Sequence, residues 1–451
     1  MSSINSSALN SANRDKPRRQ YALVDCDNFY VSCERVFAPA LRRRPVAILS
    51  NNDGCIISRS AEVKALGIKL GAPLHHVSAL IKRHNIAVLS SNYALYGDMS
   101  QRVITALRQF TPDVEVYSID EAFVRLARGN KTFVALASQI RTTILRWTGI
   151  PVSIGLASTK TLAKVAVERA KTHRALAGVC ELSALPDPTV ALAELPVSKV
   201  WGIGRRHAKW LAERGVHSAA DLRDFPDEQI RARAGIVGLR TVWELRGQSC
   251  LPLDMVIPPR KHIICSRSFG RPVRSYALLR EAVACYATRA GAKLRRDKSV
   301  AGLLSVFVMT NRFSSQPQYS KSAQMSLTPA SDSDADLVRA ATSGLAEIYR
   351  PDFVFHKAGV TLSQITPAAE TQLDAFAKCD FDRREKLNQA LDTINRNHGP
   401  GAVRYAATGM RRLWLMRSER RSPRYTTRWE ELPEAICRNT QRGGNRRQPN
   451  Q

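Results

Sequence analysis

The stretch VEVYSIDEAFVRLA sets two adjacent acids, Asp120 and Glu121, between two runs that alternate in the strand manner. Neighbours on a straight strand point to opposite faces, so an adjacent pair converges only where the chain turns. The pair therefore predicts a hairpin, and with it a sheet containing antiparallel strands. A second acid marks a junction nearer the N-terminus. Tyr21–Val24 is a short β-prone run ending in Asp25, and NFYVSCERVF follows with Phe29, Cys33 and Phe37 at the four-residue step of a helix. In RPVAILSNNDGCIISRS two β-rich runs flank the turn cluster Asn51-Asn52-Asp53-Gly54, and AEVKALGIKLG predicts a helix stopping at Gly71 ahead of Pro73. IPVSIGLAST then reads as a strand before the helix KTLAKVAVERAK. Strands and hairpins mixed with helices indicate an α+β sheet domain rather than a regular βαβ array.

The character changes after Pro186 and Pro188. LPVSKVWGIGRRHAKWLAERGVHSAADL reads as short helices around Gly202-Ile203-Gly204, and 260–365 as a further α+β segment. Its β-runs are KHIICSRSF, LLSVFVM and HKAGVTL, with helices around 276–297 and 334–348. From about 366 the chain is polar, and residues 401–451 hold 12 Arg against 4 Glu. The last of these, RNTQRGGNRRQPNQ, and the first twenty residues read as disordered. At 451 residues there is room for about three domains.

Sixty-eight Lys and Arg against 39 Asp and Glu give a net charge of +29. A field of that sign draws polyanions, and nucleic acid is the partner it implies, since each neutralised phosphate releases counterions. The nine cysteines are scattered, without Cys-x-x-Cys or zinc-ligand spacing, as expected of free thiols in a cytoplasmic protein. No apolar window is long enough to cross a membrane.

Clustered acids in so basic a chain need a reason to be there. Nucleotidyl transfer uses two Mg²⁺ ions about 4 Å apart to clamp the attacking, reacting and leaving oxygens, and the protein supplies only a few carboxylates. Asp25 at a strand end and Asp120-Glu121 at a hairpin are the right residue types. Taken alone, each motif reads first as turn and cap acids, and neither identifies a polymerase.

Taken in order, DCDNFYVSCERVF, RPVAILSNNDGCIISRSAEVKALGIKLGAP, SSNYALYGDMS and VEVYSIDEAF resemble the Y-family DNA polymerases, and the likeness extends from about Tyr21 to about Glu431. The resemblance implies a right hand: palm at 21–40 and 90–187, small fingers at 41–89, a helical thumb with a helix-hairpin-helix at 188–255, a little finger at 256–365, and a clamp-binding linker and basic tail at 366–451. The activity implied is error-prone synthesis across damaged template within the SOS response. The implied metal ligands are Asp25, Asp120, Glu121 and the backbone carbonyl of Cys26. Asp27 is not assigned to metal.

For the incoming dNTP, the family's steric gate falls on Tyr30, whose ring leaves no room for a 2′-hydroxyl, and Phe29 is placed beside the triphosphate. Phe29 is equally in step for the core. Lys64 and Lys171 match the family's phosphate cations, while Ala61 stands where many relatives carry a tyrosine. For template–primer DNA, Gly202 and Gly204 permit a tight turn opening onto a helix N-terminus that binds phosphate, with Arg205 and Arg206 adding charge. Arg267, Arg271, Arg274, Arg295 and Arg296 are further phosphate partners. TQLDAFAK resembles a sliding-clamp peptide through Gln372, Leu373 and Phe376, with Ala375 replacing the usual leucine. The processed UmuD dimer and RecA are the accessory partners implied. A non-catalytic DNA-binding scaffold, a two-metal nuclease and a membrane-surface protein are the rival readings.

Overall fold

The computed structural model describes residues 19–127, 129–256, 258–370 and 381–432. Among these residues the chain forms two compact units: 19–48, 56–256 and 421–432 make the first, and 49–55 with 258–420 the second.

The first unit begins with β1 (Arg19–Cys26), α1 (Phe29–Phe37), β2 (Val46–Leu49), β3 (Ile56–Arg59), α2 (Ala61–Ala65), α3 (Ser78–Arg83), β4 (Ala87–Ser90) and α4 (Tyr93–Leu107). It continues through β5 (Val114–Val116), β6 (Glu121–Ala127), α5 (Phe133–Thr148), β7 (Val152–Ala157), α6 (Lys160–Thr172) and β8 (Val179–Glu181). The helices α7 (Pro188–Ala193), α8 (Arg205–Ala212), α9 (Ala219–Arg223) and α10 (Asp227–Leu245) complete it.

Its main sheet has the order β5-β6-β1-β7-β8, antiparallel except for the β7–β8 pair. Strand β1 is central and buried on both faces. Ala22 and Val24 face a core built with α1, α4 and α5, whereas Tyr21 and Leu23 face one built with α6 and α7–α10. Side chains alternating along a strand require this division. Gly155 on β7 allows α6 to lie directly on the sheet: a Cβ there would come within 2.3 Å of Val167 N and 2.4 Å of Ala163 O. β3, β2 and β4 form a separate small sheet.

The hairpin expected at Asp120-Glu121 is present, with β5 and β6 antiparallel and Glu121 the first residue of β6. The helix expected to reach Gly71 ends at Ala65, because Gly67 takes a left-handed conformation (φ 76°) that stops it early.

The second unit contains β9 (Ile263–Val273), α11 (Tyr276–Arg296), β10 (Ser299–Thr310), β11 (Ser320–Ser331), α12 (Asp334–Ile348), β12 (Phe355–Pro367) and α13 (Phe381–Asn397). Its sheet, ordered β11-β10-β12-β9, is antiparallel and shares a core with α11 and α12. The edge strand β11 alternates through only three apolar residues, Ala323, Met325 and Leu327, in the largely polar SKSAQMSLTPAS, a short signal that does not mark it in the sequence. The polar region after 366 also folds further than composition suggests. Trp414 is 2 % exposed against Tyr286, and Arg295 ties α13 to α12 through Asp392 (2.7 Å) and Asp334 (2.9 Å). Loop 49–55 belongs here: the Asn52 amide donates to the carbonyls of Ser268 and Phe269, and its oxygen accepts from Arg417 N.

Candidate active site

The three acids gather at one end of the main sheet. Asp25 is paired in register with Glu121 on β6 and with Ser153 on β7. Cys26 N donates to the Asp120 carbonyl (2.9 Å), fixing the β1 end against the hairpin turn. Within that turn the Ser118 hydroxyl donates to Asp120 Oδ1 (2.5 Å) and accepts from the amides of Asp120 and Glu121. Asn28 then takes a left-handed conformation (φ 47°) to turn the chain from β1 into α1.

Two lysines of α6 answer the acids. Lys171 Nζ lies 2.7 Å from Asp25 Oδ1, and Lys164 Nζ lies 3.0 and 2.9 Å from the two oxygens of Glu121. Lys164 is also packed over the rings of Tyr117 and Trp201. Burial pushes Asp25 up to about 7, against the attraction of Lys171 and helped by the negative charges of Glu121 and Asp120. Asp120 and Glu121 thus lie close enough to Asp25 for their charges to act on it. Among the described residues no three ligand-type side chains stand in ready metal-holding geometry. With Asp25 and Glu121 turned toward lysines, a metal site here requires those side chains to exchange partners. The donors themselves, carboxylates at one sheet end, are of the kind Mg²⁺ prefers. The Cys26 thiol is buried, and burial raises it well above the ordinary value.

Asp25 sits between two clefts. One, of about 350 Å³, is lined by Asp25, Asp120, Phe29, Tyr30, Arg59, Lys64 and Lys171. The other, of about 170 Å³, contains Glu121, Lys164 and Lys199. In the larger cleft, partial burial followed by repulsion from Lys171 and Arg59 lowers Lys64 below the ordinary lysine value, so three cations face the same space. Tyr30 is half-buried, its hydroxyl pushed up to about 12 by burial, and its ring stacks on Tyr96 at 4.4 Å and 12°. Phe29 is 3 % exposed in the core and also touches the cleft. Asp27 accepts from the Ser153 hydroxyl (2.8 Å), a structural bond.

The remaining candidates fall elsewhere. Gly202 has φ 87° and Gly204 caps α8, with Arg205 and Arg206 exposed in its first turn. Arg267, Arg271 and Arg274 are exposed on or just after β9 in the second unit, and Arg296 is exposed at the end of α11. Arg295 is not open to phosphate, being held by Asp334 and Asp392. Gln372, Leu373 and Phe376 lie outside the described residues. Sequence reasoning missed Arg59, Ser118 and Lys164. Lys160, Lys164 and Lys171 recur at helical spacing, a signal that one face of α6 carries cations toward the sheet.

The model of the impB/mucB/samB family matches residues 24–168, and that of its C-terminal domain matches 260–375. A domain of unknown function matches 385–435. The chain is 43 % identical to the protein UmuC of Salmonella typhimurium over 418 residues, covering 91 % of this chain and 99 % of that one. It is 39 % identical to the protein MucB of Escherichia coli over 422 residues, covering 93 % and 100 %. In fold it is similar to a solved Y-family DNA polymerase chimera, with a TM-score of 0.61 at 21 % identity over 77 % of this chain and 99 % of that one. With an acid-tipped sheet beside a cationic cleft and a match almost end to end to these relatives, the chain belongs to the impB/mucB/samB family and has the fold of a Y-family DNA polymerase.

Proposed function

We infer that this chain is an error-prone DNA-directed DNA polymerase that extends a primer 3′-hydroxyl with dNTPs across damaged template, as part of SOS damage tolerance. The observation that carries the reading is the registered meeting of Asp25 with the Asp120-Glu121 turn beside Tyr30, Lys64 and Lys171.

Two Mg²⁺ ions, when bound, supply positive charge to the attacking oxygen, the α-phosphate and the leaving pyrophosphate. Asp25, Asp120 and Glu121 would hold them, with the Cys26 carbonyl. Lys64, Arg59 and Lys171 offer charge to the triphosphate from the cleft wall. Tyr30 presents a neutral phenol, and its stacking on Tyr96 gives the ring a fixed backing from which to exclude a 2′-hydroxyl. Gly204 opens α8 toward a DNA phosphate, helped by Arg205 and Arg206, and Arg267 offers a backbone contact from the second unit. Template–primer DNA is the macromolecular substrate. The processed UmuD dimer, RecA and a sliding clamp engaged by Gln372, Leu373 and Phe376 complete the cytoplasmic assembly. No helix among the described residues is long and apolar enough to cross a membrane.

The test is primer extension past an abasic site with Mg²⁺, with and without the partner subunits, comparing the wild type with Asp120→Ala. Extension by the wild type and its loss in the variant support the reading. Extension that survives Asp120→Ala, or degradation of DNA without dNTPs, rejects it.

A further inference from the structure

The segment 421–432 lies within the match to the domain of unknown function and is packed into the first unit. Arg421 forms a parallel bridge with Ser90 at the end of β4. The Asn92 amide donates to the Ser422 carbonyl (3.1 Å), the Ser422 hydroxyl (2.9 Å) and the Pro423 carbonyl (3.0 Å). Tyr425 stacks on Phe37 at 4.9 Å, and Arg424 closes the segment on itself through Glu431.

The contact with consequences is on α1. Glu34 is 1 % exposed, and its Oε1 accepts from two hydroxyls: Ser422 Oγ at 2.9 Å and Tyr96 Oη at 2.7 Å. A buried carboxyl is tolerated only when it is hydrogen-bonded, so the two donors stand or fall together. Tyr96, fixed by that bond, is the ring on which Tyr30 stacks. A continuous path thus runs from Ser422 through Glu34 and Tyr96 to Tyr30.

We propose that segment 421–432 is a strap that positions the sugar-selecting ring, with Ser422 and Glu34 as positioning residues for discrimination between dNTPs and rNTPs. This rests on the reading of Tyr30 as the steric gate. Neither residue lines the nucleotide cleft. Both act by holding Tyr96 upright behind Tyr30. A ring whose backing can shift leaves room for a 2′-hydroxyl without removing any group that touches the dNTP.

The experiment uses full-length Ser422→Ala, Glu34→Leu, Glu34→Gln and Tyr30→Ala. Single-nucleotide insertion gives kcat/KM for matched rNTP and dNTP. Binding of the two nucleotides in Ca²⁺, on a primer ending in a dideoxynucleotide, gives the same ratio without turnover. Ser422→Ala and Glu34→Leu are expected to raise relative rNTP use by roughly three- to tenfold, the scale of one lost ordinary hydrogen bond. Glu34→Gln keeps the shared acceptor oxygen and is expected to stay near the wild-type ratio. A purely structural role would lower thermal stability and both insertions together, leaving the ratio unmoved. If Tyr30→Ala relaxes sugar choice while Ser422→Ala and Glu34→Leu keep the wild-type ratio, the strap has no such role. If Tyr30→Ala itself leaves the ratio unchanged, the gate assignment falls and the proposal with it. Ser422→Ala removes a single oxygen, so the test survives even if Glu34→Leu fails to fold.

Discussion

Lys171 Nζ stands 2.7 Å from Asp25 Oδ1, so a carboxylate suited to a metal is held by a cation suited to a triphosphate. The two demands compete for the same oxygen. Lys171→Ala is therefore expected to bind Mg²⁺ more tightly in the absence of nucleotide. It should also raise KM for dNTP by roughly tenfold through loss of a charge-assisted contact. Calorimetric Mg²⁺ titration and insertion kinetics measure the two effects. Weaker Mg²⁺ binding in the variant would show that the lysine supports the acids rather than competing with them.

Gly155 is where α6, and with it Lys164 and Lys171, is pressed against the sheet. A methyl at 155 meets backbone atoms of Val167, Ala163 and Ala166, none of which can move aside as a side chain can. Gly155→Ala should cost about 3 kcal/mol of stability, the upper range for overpacking, and should reduce synthesis by displacing both lysines. Urea unfolding and primer extension test this. Wild-type stability in the variant would mean the helix–sheet spacing is elastic.

Lys160 and Glu115 form a buried pair, 3 % and 9 % exposed at their side chains, with Nζ 2.5 Å from Oε2. The same oxygen of Glu115 accepts from Asp254 N (2.8 Å). Lys160→Met leaves a buried carboxylate without its cation and should cost about 3–5 kcal/mol, whereas Lys160→Met with Glu115→Leu should recover much of that loss. Chemical denaturation of the single and double variants gives the comparison. A double variant as unstable as the single one would refute the pairing argument.

Arg206, exposed in the first turn of α8, is expected to hold a phosphate without reading sequence. Arg206→Ala should weaken binding to all duplexes alike and flatten the slope of log affinity against log salt by about one unit. Fluorescence anisotropy across a salt series reads the slope, and an unchanged slope would place this arginine off the DNA.

Burial raises Glu34 above its ordinary value of 4.5, with the hydroxyls of Tyr96 and Ser422 opposing the rise. The folded state therefore holds this proton at pH values where the unfolded chain has released it. Stability from this group is complete below pH 4.5 and drains away as pH climbs through the raised value. Glu34→Gln has no such loss. Its advantage in Tm over the wild type should be absent at low pH and grow toward neutrality. An advantage that shrinks as pH rises would contradict the sign.

Much of the local structure around the acids is legible in the sequence. Asp25 at a strand end, the acid pair at a turn and the helix of KTLAKVAVERAK are local patterns, set by side-chain period and turn chemistry within a dozen or so residues. The helix after Ser60 was overestimated because a favourable apolar period ran on past Gly67, whose left-handed backbone ends it. Arg295 reads as a surface cation in sequence because nothing near it in the chain reveals Asp334 and Asp392.

The amino-acid sequence by itself determined the α+β class, the acids at a strand end and a turn, and the basic field, since each is written in residue type and local spacing. Only the tertiary structure decided which lysine faces which acid, that α6 lies close enough to matter, and that Ser422 reaches Glu34. Those relationships join residues hundreds of positions apart, and they depend on strand register and helix packing, which no local pattern encodes.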